Sequence, residues 1–150
     1  MKKMRFCNHC GRLYDERDGG RCTCQREKRE YKHASFYDGK GWRALSRFIR
    51  VRDFGQDRLA MYFTKFKPEG KLQQRLFDYL IDAQGNPRRL GGGLVVHHIV
   101  PREDDATIEY EADNLISLNT HTHEYVHALY GQNKSELEVF LRQVVKAPLP

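Results

Sequence analysis

Five of the seven histidines in this 150-residue chain lie between positions 97 and 127. His97 and His98 follow the apolar run Leu94-Val95-Val96, and His123 and His127 stand four residues apart. Residues four apart lie on one face of a helix. Two imidazoles so placed, with a third nitrogen from a neighbouring strand, make a three-ligand metal site that keeps an open coordination position. The pattern therefore predicts a strand and a helix brought together around a divalent cation that can act on a substrate.

The elements that would carry these histidines can be read from the local pattern. We predict a first strand over residues 94–100 and a second over 114–118. A helix capped by Asn119 or Thr120 would then carry His123 and His127 and end at Gly131. Because side chains alternate along a strand, His97 and His98 should face opposite sides, and a bend at the strand end would be needed to use both.

The span 94–131 resembles the HNH (ββα-metal) endonucleases, most closely the small phage-type members. In that family a strand ends in Asp-His or His-His, an Asn follows in the next loop or strand, and a His-bearing helix closes the site. The resemblance implies DNA hydrolysis with one divalent cation, which would be Mg²⁺, Mn²⁺, Ni²⁺ or Zn²⁺. It implies His98 as the general base and Asn114 as the residue that orients it. The metal ligands that it implies are His97, His123 and His127.

Two further features bear on the resemblance. Upstream, Trp42-Arg43 and Arg52-Asp53 look like the basic helix that precedes the motif in phage members. Asn119 and Thr122 stand where many relatives have a pair of zinc-binding cysteines, so the structural zinc site that those relatives have beside the motif is absent here. Phage-type members often act beside a terminase. The resemblance therefore implies a phage terminase as a partner of this chain. His121 is interpreted as a residue of the helix cap or one that faces DNA.

Charge is distributed unevenly over a chain whose formal net charge is +6. Residues 1–60 carry 16 basic and 8 acidic side chains, whereas residues 94–150 carry 4 and 9. A basic platform beside a metal site suits binding of a polyanion such as DNA. The alternative is an arginine-rich surface that only contacts solvent.

All four cysteines fall within a short N-terminal stretch, as Cys7-x-x-Cys10 and Cys22-x-Cys24. Two close pairs around a polar, glycine-containing loop predict a structural zinc site with four thiolates, in which His9 or His33 could replace one thiolate. Metal binding would supply the folding energy that so polar a segment lacks. The alternative is four reduced thiols in an unstructured tail.

The compartment follows from what the sequence lacks. The N-terminus has charge without an apolar h-region, so no signal peptide is expected, and no apolar run approaches the length of a membrane span. Reduced cysteines and a cytoplasmic location follow. For a phage-encoded protein that would be the host cytoplasm.

The middle of the chain has helical periodicity over residues 42–52 and 71–82. In the first helix we expect an apolar face directed at the core, formed by Trp42, Leu45, Phe48 and Ile49. The opposite stripe, expected to contact phosphates, consists of Arg43, Arg47 and Arg50. Arg88 and Arg89 lie in a glycine-rich loop that either reaches a DNA groove or only connects elements. Ser135-x-x-Glu138 is a capping box that should open a last, separate helix.

The sequence thus predicts an α+β fold, mostly helical, with a two-stranded ββα-metal centre, an N-terminal zinc knuckle and basic helices. We divide it into a zinc-knuckle-like module (1–33), a basic helical segment and loop (34–93) and a nuclease core with its covering helix (94–150). Two alternatives remain. One is a DNA-binding module that uses its metals structurally, and the other is an RNase with the same site.

Overall fold

The computed structural model describes residues 4–6, 13–15 and 34–149. The chain divides into two compact units, Met1–Gly39 and Lys40–Pro150. In the first unit, strand β1 (Met4–Phe6) pairs antiparallel with β2 (Leu13–Asp15), and a single helical turn, α1, spans Ala34–Tyr37. The predicted zinc ligands of this unit, which are Cys7, Cys10, Cys22, Cys24 and the alternatives His9 and His33, lie outside the described residues.

The second unit is α+β and mostly helical, as predicted. Its helices and strands, in chain order, are α2 (Lys40–Arg52), α3 (Arg58–Lys65), α4 (Gly70–Leu80), β3 (Leu94–His98), β4 (Leu115–Asn119) and α5 (Thr120–Lys146). Strands β3 and β4 form a two-stranded antiparallel sheet in which His97 is paired with Ile116 and His98 with Leu115. Both predicted strands are therefore present, each within two residues of its expected ends. In the described part of the chain, no helix is long and apolar enough to cross a membrane.

Local sequence explains where the helices begin. The Asp57 carboxylate accepts a hydrogen bond from the Ala60 amide at 3.0 Å and caps α3. The Asn119 side chain accepts one from the His121 amide at 2.9 Å and caps α5, as predicted. Such caps satisfy amides that have no partner within the helix.

The core lies between α3, α4, α5 and the sheet. It consists of aliphatic and aromatic side chains from all of these elements, including Leu59, Phe63, Leu76, Leu118, Val126, Phe140 and Leu141. The buried residues of α4 are Leu72, Leu76 and Leu80, and those of α5 after residue 135 are Leu137, Phe140, Leu141, Val144 and Val145. Removal of this apolar surface from water is the main force that holds the helices against the sheet.

Helix α2 confirms the predicted helix at 42–52, but the expected position of Phe48 is wrong. Its side chain is 58% exposed. The buried face of α2 runs through Trp42, Ser46 and Ile49 and continues to Asp53. This buried face of α2 meets β4 through Asp53, which accepts a hydrogen bond from the Ser117 amide, and Phe48 lies on another face of the helix.

The His-bearing helix, predicted to end at Gly131, ends two residues later at a kink. Helix α5 is two helices joined across this kink, where Asn133 has φ −128° and ψ 26°, and the second helix runs to Lys146. Gly131 does not take up the positive φ that a glycine C-cap uses. Leu129 before the bend and Leu137 after it are both buried. The bend lets both halves pack on one core, so the separate last helix expected from the capping box is the second half of α5.

A buried ion network joins α2 and α3 to the sheet. Asp53 is 0% exposed, and its carboxylate accepts two hydrogen bonds from Arg52, at 2.8 and 3.0 Å, and one from Arg58 at 2.9 Å. The backbone amide of Ser117 in β4 donates the fourth, at 2.8 Å. We call Arg52, Asp53, Arg58 and the Ser117 amide the aspartate cluster.

The two arginines of this cluster extend it to distant backbone. Arg52 donates to the carbonyl oxygens of Ala112 at 2.7 Å and Leu115 at 2.6 Å, just before and at the start of β4. Arg58 donates to those of Val145 at 2.8 Å and Ala147 at 3.1 Å, at the end of α5. The cluster therefore fixes both ends of the β4–α5 segment, which carries two of the predicted metal ligands.

Candidate metal centre

The structure brings together the three histidines predicted to bind metal. One ring nitrogen of each of His97, His123 and His127 lies within 4.8 Å of the others. His97 comes from the end of β3, and the other two come from successive turns of α5. Nε2 of His123 and Nε2 of His127 are 2.9 Å apart, and the ring of His97 is centred 5.1 Å from each of theirs. We call these three residues the histidine cluster.

The cluster has the dimensions of a metal site. Two ligands bonded to one tetrahedral Zn²⁺ through nitrogen lie about 3.4 Å apart, given the usual bond length. The nitrogens of His123 and His127 are 2.9 Å apart, and every nitrogen pair of the cluster is within 4.8 Å, so the three nitrogens could surround one ion. No carboxylate or thiolate belongs to this group of described residues. A set of three neutral imidazoles suits Zn²⁺ or Ni²⁺ by ligand type.

Burial is graded across the cluster. His97 is buried at 4% exposure, His123 is half-buried, and His127 is exposed. Burial, with the neighbouring imidazoles, holds the pKa of His97 well below its usual range, and burial also lowers the pKa of His123. Both rings are therefore neutral near pH 7 and have a lone pair to offer a cation. The site is closed on the strand side and open to solvent on the helix side.

His98 lies at the end of β3 but contacts different elements from His97, as strand alternation predicts. Its Nε2 is 3.0 Å from the backbone oxygen of Glu109, and its ring stacks on Trp42 of α2 with centroids 5.1 Å apart and planes inclined by 18°. A carbonyl oxygen only accepts, so Nε2 carries the proton and the lone pair is on Nδ1. Burial lowers the pKa of His98, which favours this neutral form.

Asn114 holds the backbone that follows His98. Its side-chain oxygen accepts from the Val100 amide at 2.9 Å, and its amide nitrogen donates to the Val100 oxygen at 3.1 Å and the Ile108 oxygen at 3.4 Å. Its own backbone oxygen accepts from the Ile99 amide at 2.8 Å. These bonds end the strand at His98 and fix the loop that supplies the Glu109 carbonyl. Asn114 thus contacts the backbone next to His98, and its role as the residue that orients His98 stays a prediction.

Tyr130 belongs to the site although the sequence analysis did not single it out. Its hydroxyl is 3.0 Å from Nε2 of His97 and donates to the Ile99 oxygen at 2.6 Å. The signal was available, because Tyr130 lies three residues after His127 and seven after His123, on the same face of α5. The partners of His98, in contrast, could not be found from local pattern, because one is a ring from α2 and the other is a backbone oxygen.

The arginines predicted to contact DNA all lie at the surface and outside the histidine cluster. Arg43, Arg47 and Arg50 form an exposed stripe on α2. Trp42 of the same helix touches His98, so α2 lies beside the site. Arg88 and Arg89 are exposed at the end of a turn ordered by the Asp82 carboxylate, which accepts from two amides of the turn at 2.9 Å each. His121 is exposed at the start of α5 and is not part of the cluster.

Comparison with known proteins gives no relative. No protein-family model matches the chain, and no curated protein and no solved structure matches it either.

Proposed function

We propose that this protein is a metal-dependent endonuclease of the HNH type that hydrolyses phosphodiester bonds in DNA. The observation that carries the proposal is the histidine cluster, which is open to solvent on one side and has a fourth histidine, His98, at the adjacent position of the strand. A structural metal site is normally closed by four protein ligands, whereas a catalytic one keeps a position for substrate or water.

The histidine cluster would hold one divalent cation, with His97 as the buried ligand and His127 as the exposed one. When bound, the cation would act as a Lewis acid and neutralise the negative charge that develops on the phosphodiester in the transition state. The grouping of β3, β4 and the first half of α5 around it would be a ββα-metal centre.

His98 would act as the general base. Its Nδ1 has the lone pair that accepts a proton from the attacking water. On protonation the ring becomes a cation, which the Glu109 oxygen stabilises by accepting a hydrogen bond from Nε2–H. The face of Trp42 stacked on the ring adds a favourable cation–π contact. Asn114 would act indirectly, because it fixes the strand end and the loop that hold this ring.

The exposed arginines of α2 support nucleic acid as the substrate. Arg43, Arg47 and Arg50 form one stripe on a helix that contacts the proposed base through Trp42. Contacts of this kind with phosphates position a nucleic acid without reading its sequence. The N-terminal cysteines would bind a structural zinc, and a phage terminase would be the partner if the protein serves genome packaging.

The test is cleavage of a supercoiled plasmid by the full chain with Mg²⁺, Mn²⁺, Ni²⁺ or Zn²⁺, and with an RNA substrate in parallel. We expect metal-dependent cleavage of DNA that is lost in His98→Ala and retained in Asp78→Ala, a control that removes an exposed side chain of α4 outside the histidine cluster. DNA binding without cleavage under every metal would instead identify a non-catalytic binding module. Cleavage of RNA alone would identify an RNase.

A further inference from the structure

The phenol of Tyr130 links a proposed metal ligand to the end of the strand that carries it. Its oxygen lies 3.0 Å from Nε2 of His97 and 2.6 Å from the backbone oxygen of Ile99, two residues further along the chain. The ring of Tyr130 is centred 5.6 Å from that of His97 and 5.8 Å from that of His127. Tyr130 is therefore packed against two of the three histidines.

The direction of the two hydrogen bonds follows from the number of protons. A phenol has one proton, and a backbone carbonyl can only accept. The Tyr130 hydroxyl therefore donates its hydrogen bond to the Ile99 oxygen, and the phenol oxygen accepts a hydrogen bond from Nε2–H of His97. In a neutral imidazole the lone pair is then on the other nitrogen, Nδ1.

We propose that Tyr130 is a positioning residue of the metal centre, which holds His97 in the tautomer that presents Nδ1 to the cation. The proposal rests on the metal site of the proposed function and extends it to a residue that does not touch the cation. A ligand histidine usually donates its second N–H to a carboxylate, a backbone oxygen or water, and this partner fixes the tautomer and the ring orientation. Here a neutral phenol takes that role, so the partner adds no negative charge beside the cation.

The comparison that tests this is Tyr130→Phe against Tyr125→Phe. Tyr125 is on the same helix, but its ring stacks on Tyr79 at 4.3 Å and it is not part of the histidine cluster. Each variant is titrated with Zn²⁺ against a competing chelator, and binding is followed in ¹H–¹⁵N spectra through the ring signals of His123 and His127. These signals report this site and not the N-terminal cysteines. Amide spectra verify the fold.

We expect Tyr130→Phe to weaken Zn²⁺ binding by about 10–100-fold, the usual cost of losing an outer-shell partner, and Tyr125→Phe to leave it unchanged. Metal-free wild-type protein should show His97 protonated at Nε2, and Tyr130→Phe should show a mixture of tautomers. Wild-type affinity in Tyr130→Phe would overturn the proposal. So would His97 protonated at Nδ1 in the wild type, a result that stands even if the variant does not fold.

These outcomes are distinguishable from failure of the proposed function. If the histidine cluster binds Zn²⁺ more weakly in Tyr130→Phe but the wild type cuts neither DNA nor RNA, the nuclease proposal fails and the role of Tyr130 stands. If the wild type cuts DNA and Tyr130→Phe binds Zn²⁺ with unchanged affinity, the nuclease proposal stands and the role of Tyr130 fails.

Discussion

The described residues contain two clusters of polar side chains beside the same sheet, and the two clusters differ in how their hydrogen-bonding groups are paired. In the aspartate cluster, the Asp53 carboxylate accepts four hydrogen bonds, and two arginines oppose its charge. In the histidine cluster, three bases face one another, and Nε2 of His123 and Nε2 of His127 are 2.9 Å apart. The first cluster is complete without any further group. In the second cluster, the neutral imidazoles have more nitrogen lone pairs than N–H groups to donate hydrogen bonds to them.

This difference separates an arrangement with its charges paired from one whose nitrogens could hold a metal ion. A buried charge is tolerated when it is paired and hydrogen-bonded, and the aspartate cluster meets this condition while joining α2, α3, β4 and the end of α5. Burial and repulsion by the neighbouring imidazoles disfavour the charged form of His97 and lower its pKa. The neutral ring has a nitrogen lone pair that can bind a cation. Convergent neutral donors are what a cation requires. Substitutions in the first cluster should therefore change stability, and substitutions in the second should change chemistry.

The largest effect is expected at His98. His98→Ala should lower metal-dependent cleavage by about 10²–10⁴-fold, the usual contribution of a positioned general base. Binding of DNA and of Zn²⁺ should barely change, because the ring contacts Trp42 and Glu109 and is not part of the histidine cluster. Single-turnover rates at saturating DNA measure the loss. Wild-type rates would eliminate His98 as the base, and loss of the metal would make it a ligand.

Asp53→Ala should have the largest effect on folding. Removal of the carboxylate leaves Arg52 and Arg58 without their shared counter-charge, and breaking a buried pair in this way costs about 3–5 kcal/mol. Urea unfolding of chelator-treated protein measures the change. Asp78→Ala, which removes an exposed carboxylate from α4, is the control and should change the free energy of unfolding by under about 0.5 kcal/mol. Equal effects of the two substitutions would contradict the structural role of the cluster.

His127→Ala tests the other side of the comparison. The ring is exposed, so the free energy of unfolding without metal should change by no more than about 0.5 kcal/mol. Zn²⁺ affinity at the histidine cluster should fall by more than the roughly 10–100-fold that loss of an outer-shell partner costs, while any zinc at the N-terminal cysteines stays. Metal analysis after mild chelation measures both sites. A full metal complement with full activity would remove His127 from the ligand set.

The smallest effect is expected from the arginine stripe of α2. Replacing Arg43, Arg47 and Arg50 together by Ala should weaken binding to all DNA sequences alike and reduce the slope of log affinity against log salt by about 2–3. The rate at saturating DNA should be largely spared. The control removes the same charge from exposed residues of α3 and α4, namely Lys65, Lys71 and Arg75. If both triple variants lose affinity equally, net charge and not this stripe governs binding.

The sequence by itself determined what depends on near neighbours in the chain. The spacing of His123 and His127 placed them on one face of a helix, Asn119 predicted the cap that begins it, and the apolar runs predicted β3 and β4. It also predicted that His97 and His98 face different ways. Each of these follows from a helical or strand repeat or from a hydrogen bond within a few residues.

Tertiary structure decided what depends on residues far apart. The ring of His97 meets α5 at Tyr130, 33 residues away in the sequence, where its Nε2 is 3.0 Å from the hydroxyl. The Asp53 carboxylate meets the Ser117 amide across 64 residues, and the face of α2 that leads to Asp53 is buried while Phe48 is exposed. The kink of α5 falls at Asn133, and Leu129 before it and Leu137 after it are buried in one core. The hydrophobic periodicity of the sequence does not predict such contacts, because they contribute free energy only when distant segments pack together.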